Sequence, residues 1–326
     1  MRAAVWNGDG GLDVEDRPVP EPRPGWLRVR VASVGICGTD LHFFRGSFPS
    51  PRGLVPGHEV VGVVDAVGDG LDVAFGTPVA VEPMLGCGEC RACAEGYLNR
   101  CTRRTLFGVT TRGGMAEYMT IPQQCAWPLP ESLGLDDAVL AEPLAVCVRG
   151  LRRAGLRPGD RVAVIGAGSI GLLSIAAARA GGAAEVQFTA RHEMQRAQAV
   201  ALGGTPLVDD EFDVVVETVG GRSDALTEAM GHARPGGTVL VLGVYDGPVA
   251  FPAYDLSLEE LHVVGSNCYS HVDGHSDFGA ALELLDARSA ELGALVTHEF
   301  PLDRVNDAFE AAADKGTGSI KVVVRP

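Results

Sequence analysis

Four cysteines, Cys87, Cys90, Cys93 and Cys101, stand within fifteen residues, separated by two, two and seven others. Four thiolates at such spacing close a tetrahedral shell around zinc and leave no position for a substrate. A C-x-x-C redox pair would require a thioredoxin-like βαβ setting, which is missing here, and the net charge of −15 disfavours a nucleic-acid zinc ribbon. A second, sparser set lies upstream. "GICGTDLH" supplies Cys37, Thr39, Asp40 and His42, and "VPGHEVVG" supplies His58 and Glu59. A catalytic zinc needs about three protein ligands and an open position, and Cys37 and His58 are suitable types. By spacing alone, a buried thiol and a hydrogen-bonded core histidine are the commoner explanation for such a pair.

A third constellation is "RVAVIGAGSIGLLSIAAARA", in which Gly166, Gly168 and Gly171 form G-x-G-x-x-G around Ser169 and Ile170. An apolar strand precedes the glycines and a helical stretch follows, the context in which the pattern binds a dinucleotide pyrophosphate at a helix N-terminus. The next strand-like run, "EVQFTARH", has Ala190 where an acidic residue would bind the ribose 2′-hydroxyl, followed by Arg191 and His192. No carboxylate stands there to repel a 2′-phosphate and a guanidinium is placed to bind one, so NADP is favoured over NAD.

The elements that carry these residues change character along the chain. Residues 1 to about 130 are rich in Gly, Pro and short Val-rich runs such as "LRVRVASVGIC" and "EVVGVVDAVGDG", which read as strands in an irregular β domain. From about Leu144, apolar runs ("DRVAVIG", "FDVVVETVG", "TVLVLG") alternate with Ala/Leu-rich stretches, including "DALTEAMGHARPGG". That alternation predicts an α/β, doubly wound parallel sheet covered on both faces. The tail, with the helix-like "DFGAALELLDA" and the strand "SIKVVVRP", is too short to fold alone and is expected to return to the first domain. The boundaries that follow are a catalytic domain of residues 1–144, completed by 269–326, and a dinucleotide-binding domain of residues 145–268.

Chain length exceeds what one core usually supports. The acidic charge excludes nucleic acid as a natural partner, and no apolar run approaches the roughly 20 residues that span a bilayer. "MRAAVWNGDGG" lacks an export signal, so a cytoplasmic location with reduced thiols is expected, which turns clustered cysteines toward metal. Cys125, Cys147 and Cys268 have no partners at ligand spacing and are expected to be buried small hydrophobes. His271 and His275 are expected in a solvated loop. Phe43, Phe44 and Phe48 are either substrate-mouth or loop-packing aromatics.

Taken together, "CGTDLH", "PGHE", the four-cysteine run, "EPLAV" before the glycine motif and the ending "FEAAADKGTGSIKVVV" resemble the zinc-dependent medium-chain dehydrogenase/reductase superfamily, in its polyol and threonine dehydrogenase-like branch. The resemblance covers essentially the whole chain. It implies a GroES-like catalytic domain joined to a Rossmann domain, and two zincs per chain. Cys37 and His58 match catalytic zinc ligands, Glu142 falls at the third ligand slot, and Glu59 matches a carboxylate beside that zinc. Thr39 matches the hydroxyl that bonds the substrate oxygen, His42 the proton relay nearer solvent, and Asp40 the carboxylate that orients His58. Cys87, Cys90, Cys93 and Cys101 match the structural zinc lobe. The implied reaction has zinc lower the pKa of an alcohol whose alkoxide passes hydride to the nicotinamide. A secondary alcohol or polyol and its ketone, with NADP, is the leading assignment. NAD with a β-hydroxy-amino acid or an aminocyclitol is the alternative, and a catalytically silent zinc- or cofactor-binding protein is a third reading. Relatives of this kind form homodimers or homotetramers.

Overall fold

Alternating valines build the longest strand of the chain, Trp26–Gly35, whose sequence WLRVRVASVG buries every second side chain over most of its length. The structure, a computed structural model, describes residues 1–49 and 51–326. The chain divides into two units, Met1–Glu142 with Ser270–Pro326, and Pro143–Tyr269.

In the first unit Trp26–Gly35 is the centre of a seven-stranded sheet. It pairs antiparallel with Glu59–Val67, Tyr118–Pro122 and Lys321–Arg325. Val296–Pro301 adds to the far side of Lys321–Arg325 in parallel, so the C-terminal segment is woven into this sheet. At the carboxyl end of the central strand Gly35 faces Glu59 on one neighbour and Val323 on the other. That register gathers residues from three distant stretches of sequence at one strand end. The helix Val305–Ala313 closes the core with Phe309, fully buried, 5.5 Å from the Trp6 ring and 5.1 Å from that of Phe44.

The second unit holds a six-stranded sheet in which every pairing is parallel. Numbered within the unit, its strands run in the order 3-2-1-4-5-6, the dinucleotide-binding arrangement, with the reversal between Arg161–Ile165 and Phe212–Glu217. Strand residues such as Val162, Val164, Val215 and Leu240 are wholly buried because helices cover both faces. No helix among the described residues is long and apolar enough to cross a membrane.

Three details differ from expectation. "ARPGG" belongs to the strand Ala233–Val241, because parallel pairing with Phe212–Glu217 extends it back past the glycines with a bulge. His271 and His275 lie in a short hairpin, His271–Val272 against His275–Ser276, where His271 finds a buried carboxylate. Cys125 and Cys147 are buried, but Cys268 is half-buried with φ of +52°, a turn position next to Asn267 whose side chain accepts from its thiol.

Phe309 is the test of how far the C-terminal segment contributes to the first unit. Phe309→Ala should lower that unit's stability by about 3–5 kcal/mol in denaturant unfolding followed by near-ultraviolet circular dichroism. A change below about 1 kcal/mol would show that the aromatic contact with Trp6 and Phe44 contributes little.

Candidate active site

The carboxyl end of the central strand delivers Cys37 to the N-cap of the short helix Gly38–Phe44, and the neighbouring strand begins directly after His58. Cys37, His58 and Glu59 each offer a ligand atom, and these atoms lie within 4.8 Å of one another. Cys37 is half-buried, whereas His58 and Glu59 are buried. His58 Nδ1 has no hydrogen-bond partner and lies 3.9 Å from Asp40 Oδ1, which is equally unpartnered. That separation is an ion-pair distance rather than a hydrogen bond. Asp40 is fixed by its other oxygen, which accepts the Cys37 backbone N–H at 3.0 Å.

Burial pushes the Asp40 carboxyl above its ordinary value, partly offset by His58 and the Cys37 N–H. For His58 burial opposes charge, but Asp40 and then Cys37 hold the imidazole well above its ordinary value. The Cys37 thiol, the His58 imidazole and the Glu59 carboxylate, with ligand atoms within 4.8 Å of one another, are a donor set that fits a divalent zinc ion. Glu142, buried in the first turn of Ala141–Ala154, lies outside the converging trio, though its charge raises the pKa of His58. Thr39 and His42 are half-buried on the Gly38–Phe44 helix. The His42 ring stacks on Phe48 at 4.8 Å, while Phe43 and Phe44 pack into the core.

In the second unit the glycine motif follows Arg161–Ile165 and opens the helix Ser169–Ala180, with Gly168 as its N-cap. A Cβ on Gly171 would lie 1.9 Å from the Gly166 carbonyl oxygen, so only glycine lets helix and turn meet there. At Gly168 nothing lies within 4 Å of a Cβ position, which leaves the helix N-terminus open to a phosphate. Ser169 and Ile170 begin that helix. The turn is pinned by side chains that the sequence did not single out. Thr189 Oγ1 accepts the Gly166 N–H at 2.9 Å, and the Thr218 hydroxyl shares its hydrogen between the carbonyls of Ile165 and Gly166. Arg191 is exposed and His192 half-buried at the start of Glu193–Ala201. Arg196, also unflagged, donates to the Ala190 carbonyl, adding a second guanidinium beside the vacant acidic position.

The four-cysteine run folds into a separate cluster. All four sulfurs lie within 4.8 Å of one another, with Cys87 and Cys93 at 4.0 Å and Cys90 and Cys93 at 3.6 Å. A disulfide requires about 2.05 Å. A tetrahedron with Zn–S near 2.3 Å sets its sulfurs about 3.8 Å apart, which these distances match. Backbone N–H groups, first that of Glu89, lower the Cys87 thiol pKa, and Arg103 donates to its sulfur at 3.3 Å. The lobe is tied to the C-terminal hairpin by His271, whose N–H donates to the Gly96 carbonyl at 2.9 Å. The His271 ring pairs with buried Glu82 at 2.8 Å, and Glu82 also accepts from Trp127 Nε1.

Known proteins resolve what this pairing of units is. Residues 23–131 match the family "Alcohol dehydrogenase GroES-like domain", and residues 169–287 match "Zinc-binding dehydrogenase". The sorbitol dehydrogenase of Bacillus subtilis is 30% identical over 351 residues, covering 100% of this chain and 97% of the relative. This chain belongs to the zinc-dependent medium-chain dehydrogenase/reductase family. Among other members, the L-threonine 3-dehydrogenase of Pyrococcus abyssi is 31% identical, with 97% of this chain and 96% of the relative covered. A zinc-binding dehydrogenase of Sinorhizobium meliloti 1021, solved bound to NADP, superposes with a TM-score of 0.90 at 31% identity, covering 100% of this chain and 99% of that one. As a member of the medium-chain dehydrogenases, the protein is an oxidoreductase that uses zinc and a nicotinamide cofactor.

The Glu82 side chain raises the pKa of the His271 ring, with burial opposing and Asp277 adding a further attraction. A raised folded value means that the pair stabilises fully below the unfolded pKa of about 6.5 and is lost as pH rises through the folded value. The ring should therefore titrate above about 6.5 by NMR. The stability advantage of the wild type over His271→Phe should shrink as pH rises through that midpoint, and an advantage constant with pH would contradict the pairing.

Proposed function

We propose that this dehydrogenase moves hydride between a secondary alcohol or polyol, or its ketone, and a nicotinamide cofactor, with NADP preferred to NAD. The reading is carried by the convergence of Cys37, His58 and Glu59 at one strand end, with Thr39 and His42 on the adjoining short helix. Cys37 and His58 hold the catalytic zinc, and Glu142 serves as its third ligand, directly or through water. Zinc, when bound, supplies a Lewis acid that makes an alcohol proton easier to lose, and the nicotinamide supplies the hydride acceptor.

The remaining chemistry belongs to side chains. The Thr39 hydroxyl hydrogen-bonds the substrate oxygen and accepts the departing proton as it gives up its own toward His42. His42, an imidazole suited to exchange near neutral pH, passes that proton toward solvent. Asp40 steadies His58 through charge and keeps the Cys37 backbone in place through its second oxygen. Gly166, Gly168 and Gly171, with Ser169 and Ile170, receive the pyrophosphate at the helix N-terminus. Arg191 binds the 2′-phosphate, with His192 beside it, and Arg196 supports the same preference from the next turn. Cys87, Cys90, Cys93 and Cys101 hold a second, closed zinc that fixes their lobe.

A polyol draws support from the sorbitol dehydrogenase relative, and the competing assignment, NAD with a β-hydroxy-amino acid, from the threonine 3-dehydrogenase. Assembly as a homodimer or homotetramer is part of the reading. It is supported by the edge strand His262–Gly265, whose outer side carries no neighbour in its sheet among the described residues, and by exposed Tyr254 and Leu258 on the preceding helix.

Initial rates should be higher with NADPH than with NADH when ketones are reduced. Arg191→Ala should raise KM for NADPH by about 10- to 100-fold, as loss of one charge-assisted contact does, with KM for NADH little changed. Equal rates with both cofactors in the wild type would refute the preference. By elemental analysis the wild type should carry two zincs per chain and Cys37→Ser one, with activity lost. Full activity in Cys37→Ser would refute the assignment of the catalytic metal.

A further inference from the structure

An imidazole that relays protons must keep its ring nitrogens aimed, but rotation about the bond that joins a histidine ring to its Cβ is broad and roughly two-fold. A packing contact is needed to set the plane of the ring. The sequence HFFRGSF, residues 42–48, supplies one to His42. The helix Gly38–Phe44 stops at its C-cap Arg45, and Gly46, with φ of +71°, takes the left-handed position that turns the chain. The Gly46 N–H donates to the Phe43 carbonyl at 3.1 Å, and two residues on the Phe48 N–H donates to the His42 carbonyl, also at 3.1 Å. Phe48 is thereby returned to the side of His42.

The two rings stack, with centroids 4.8 Å apart and planes 25° from parallel. That separation lies in the range of favourable offset stacking, which restrains tilt as well as distance. Phe48 is braced in turn. Its ring meets Phe43 nearly edge-on at 5.9 Å and 70°, and Phe43 lies 6.1 Å from the buried ring of Trp6. A row of aromatic rings thus runs from the core of the first unit out to half-buried His42. Stacking covers one face of the imidazole and leaves the edge of the ring, which carries both nitrogens, for proton exchange.

We propose that Phe48 is a positioning residue for proton transfer: by stacking on His42 it holds the imidazole plane so that one ring nitrogen takes the proton arriving from Thr39 while the other releases its own toward solvent. This rests on the reading of His42 as the relay. The step balances within the ring, since one N–H bond forms as the other breaks and the imidazole emerges as its second tautomer, which exchange with water resets. Phe48 contributes no atom to the transfer and acts only through His42. A phenyl wall of the substrate pocket would act differently, on KM for the alcohol.

Steady-state alcohol oxidation by the zinc-loaded enzyme in a double-mutant cycle separates these cases. His42→Gln should lower kcat on the order of 100-fold. Wild-type kcat in that variant would remove the relay reading, and the proposal with it. Given an impaired His42→Gln, Phe48→Leu should lower kcat about 2- to 10-fold, the value of one stacked pair, with KM for the alcohol little changed. The loss should be larger in D2O than in water, because the proton step then weighs more in the rate. Phe48→Tyr, which keeps the ring, should restore kcat. Combined with His42→Gln, Phe48→Leu should cause no further loss. The proposal is overturned if Phe48→Leu keeps wild-type kcat, if it changes KM alone, or if it costs the same with and without His42. A second measurement needs no Phe48 variant. In the wild type the His42 ring protons, assigned by their loss in His42→Gln, should resonate upfield of free histidine because the Phe48 ring current shields them. Free-histidine positions for those protons would equally overturn the proposal.

Discussion

A buried ion pair at the end of the central strand organises the first unit. Removing Lys321 and Glu59 from water is costly, and their attraction offsets the cost only because the geometry is complete. Both carboxylate oxygens accept from one ammonium, and the third hydrogen reaches the Ile36 carbonyl. Loss of either partner would leave an uncompensated buried charge, a defect worth about 3–5 kcal/mol. The pair sits where the backbone pairing of Lys321–Arg325 and Glu59–Val67 with Trp26–Gly35 sets the register, and only that register brings its two charges together. With the register fixed, Cys37 and His58 follow at set distances beyond the strand ends.

The two metal-competent clusters differ in what surrounds their donors. The four sulfurs form a shell made of a single short stretch of chain, rimmed by exposed ion pairs such as Arg103 with Glu89. Zinc held by those four sulfurs would have no position left for a substrate, and the lobe itself is tied to the C-terminal hairpin through Gly96 and His271. The Cys37 cluster draws its donors from separate strands and keeps a buried ring nitrogen without a hydrogen-bond partner. Mixed donors, burial and an incomplete shell are what a reactive metal requires. The parallel-sheet unit is simpler in design. A glycine turn opens a helix N-terminus, and the hydroxyls of Thr189 and Thr218 hold that turn in shape.

The parallel sheet was readable from the sequence because fully buried strands leave continuous apolar runs and the glycine turn has a fixed local spacing. The β-rich unit was readable in class, from short valine runs and turn residues. Lys321 was not, since a lysine in a strand ordinarily signals a solvated edge, and its partner lies 262 residues away. Periodicity cannot register a contact of that range. Arg196 escaped notice for a different reason: on an exposed helix a cation is unremarkable until the carbonyl it points at is known. His271 lies outside the expected solvated loop because its ring pairs with Glu82, which directly follows the strand Pro78–Val81, 189 residues upstream. A chemical clue existed in each case, a charged residue amid valines or an acid in "VAVEP", but only topology gives it a partner.

The central claim is that reactive chemistry resides at the sparse Cys37–His58 centre while the dense cysteine cluster is structural. Anomalous scattering at the zinc edge from crystals of the zinc-loaded protein tests it directly. Two peaks per chain are expected, one enclosed by the four cysteine sulfurs and one bound by Cys37 and His58. A single peak inside the cysteine lobe, with full dehydrogenase activity in the same preparation, would contradict it.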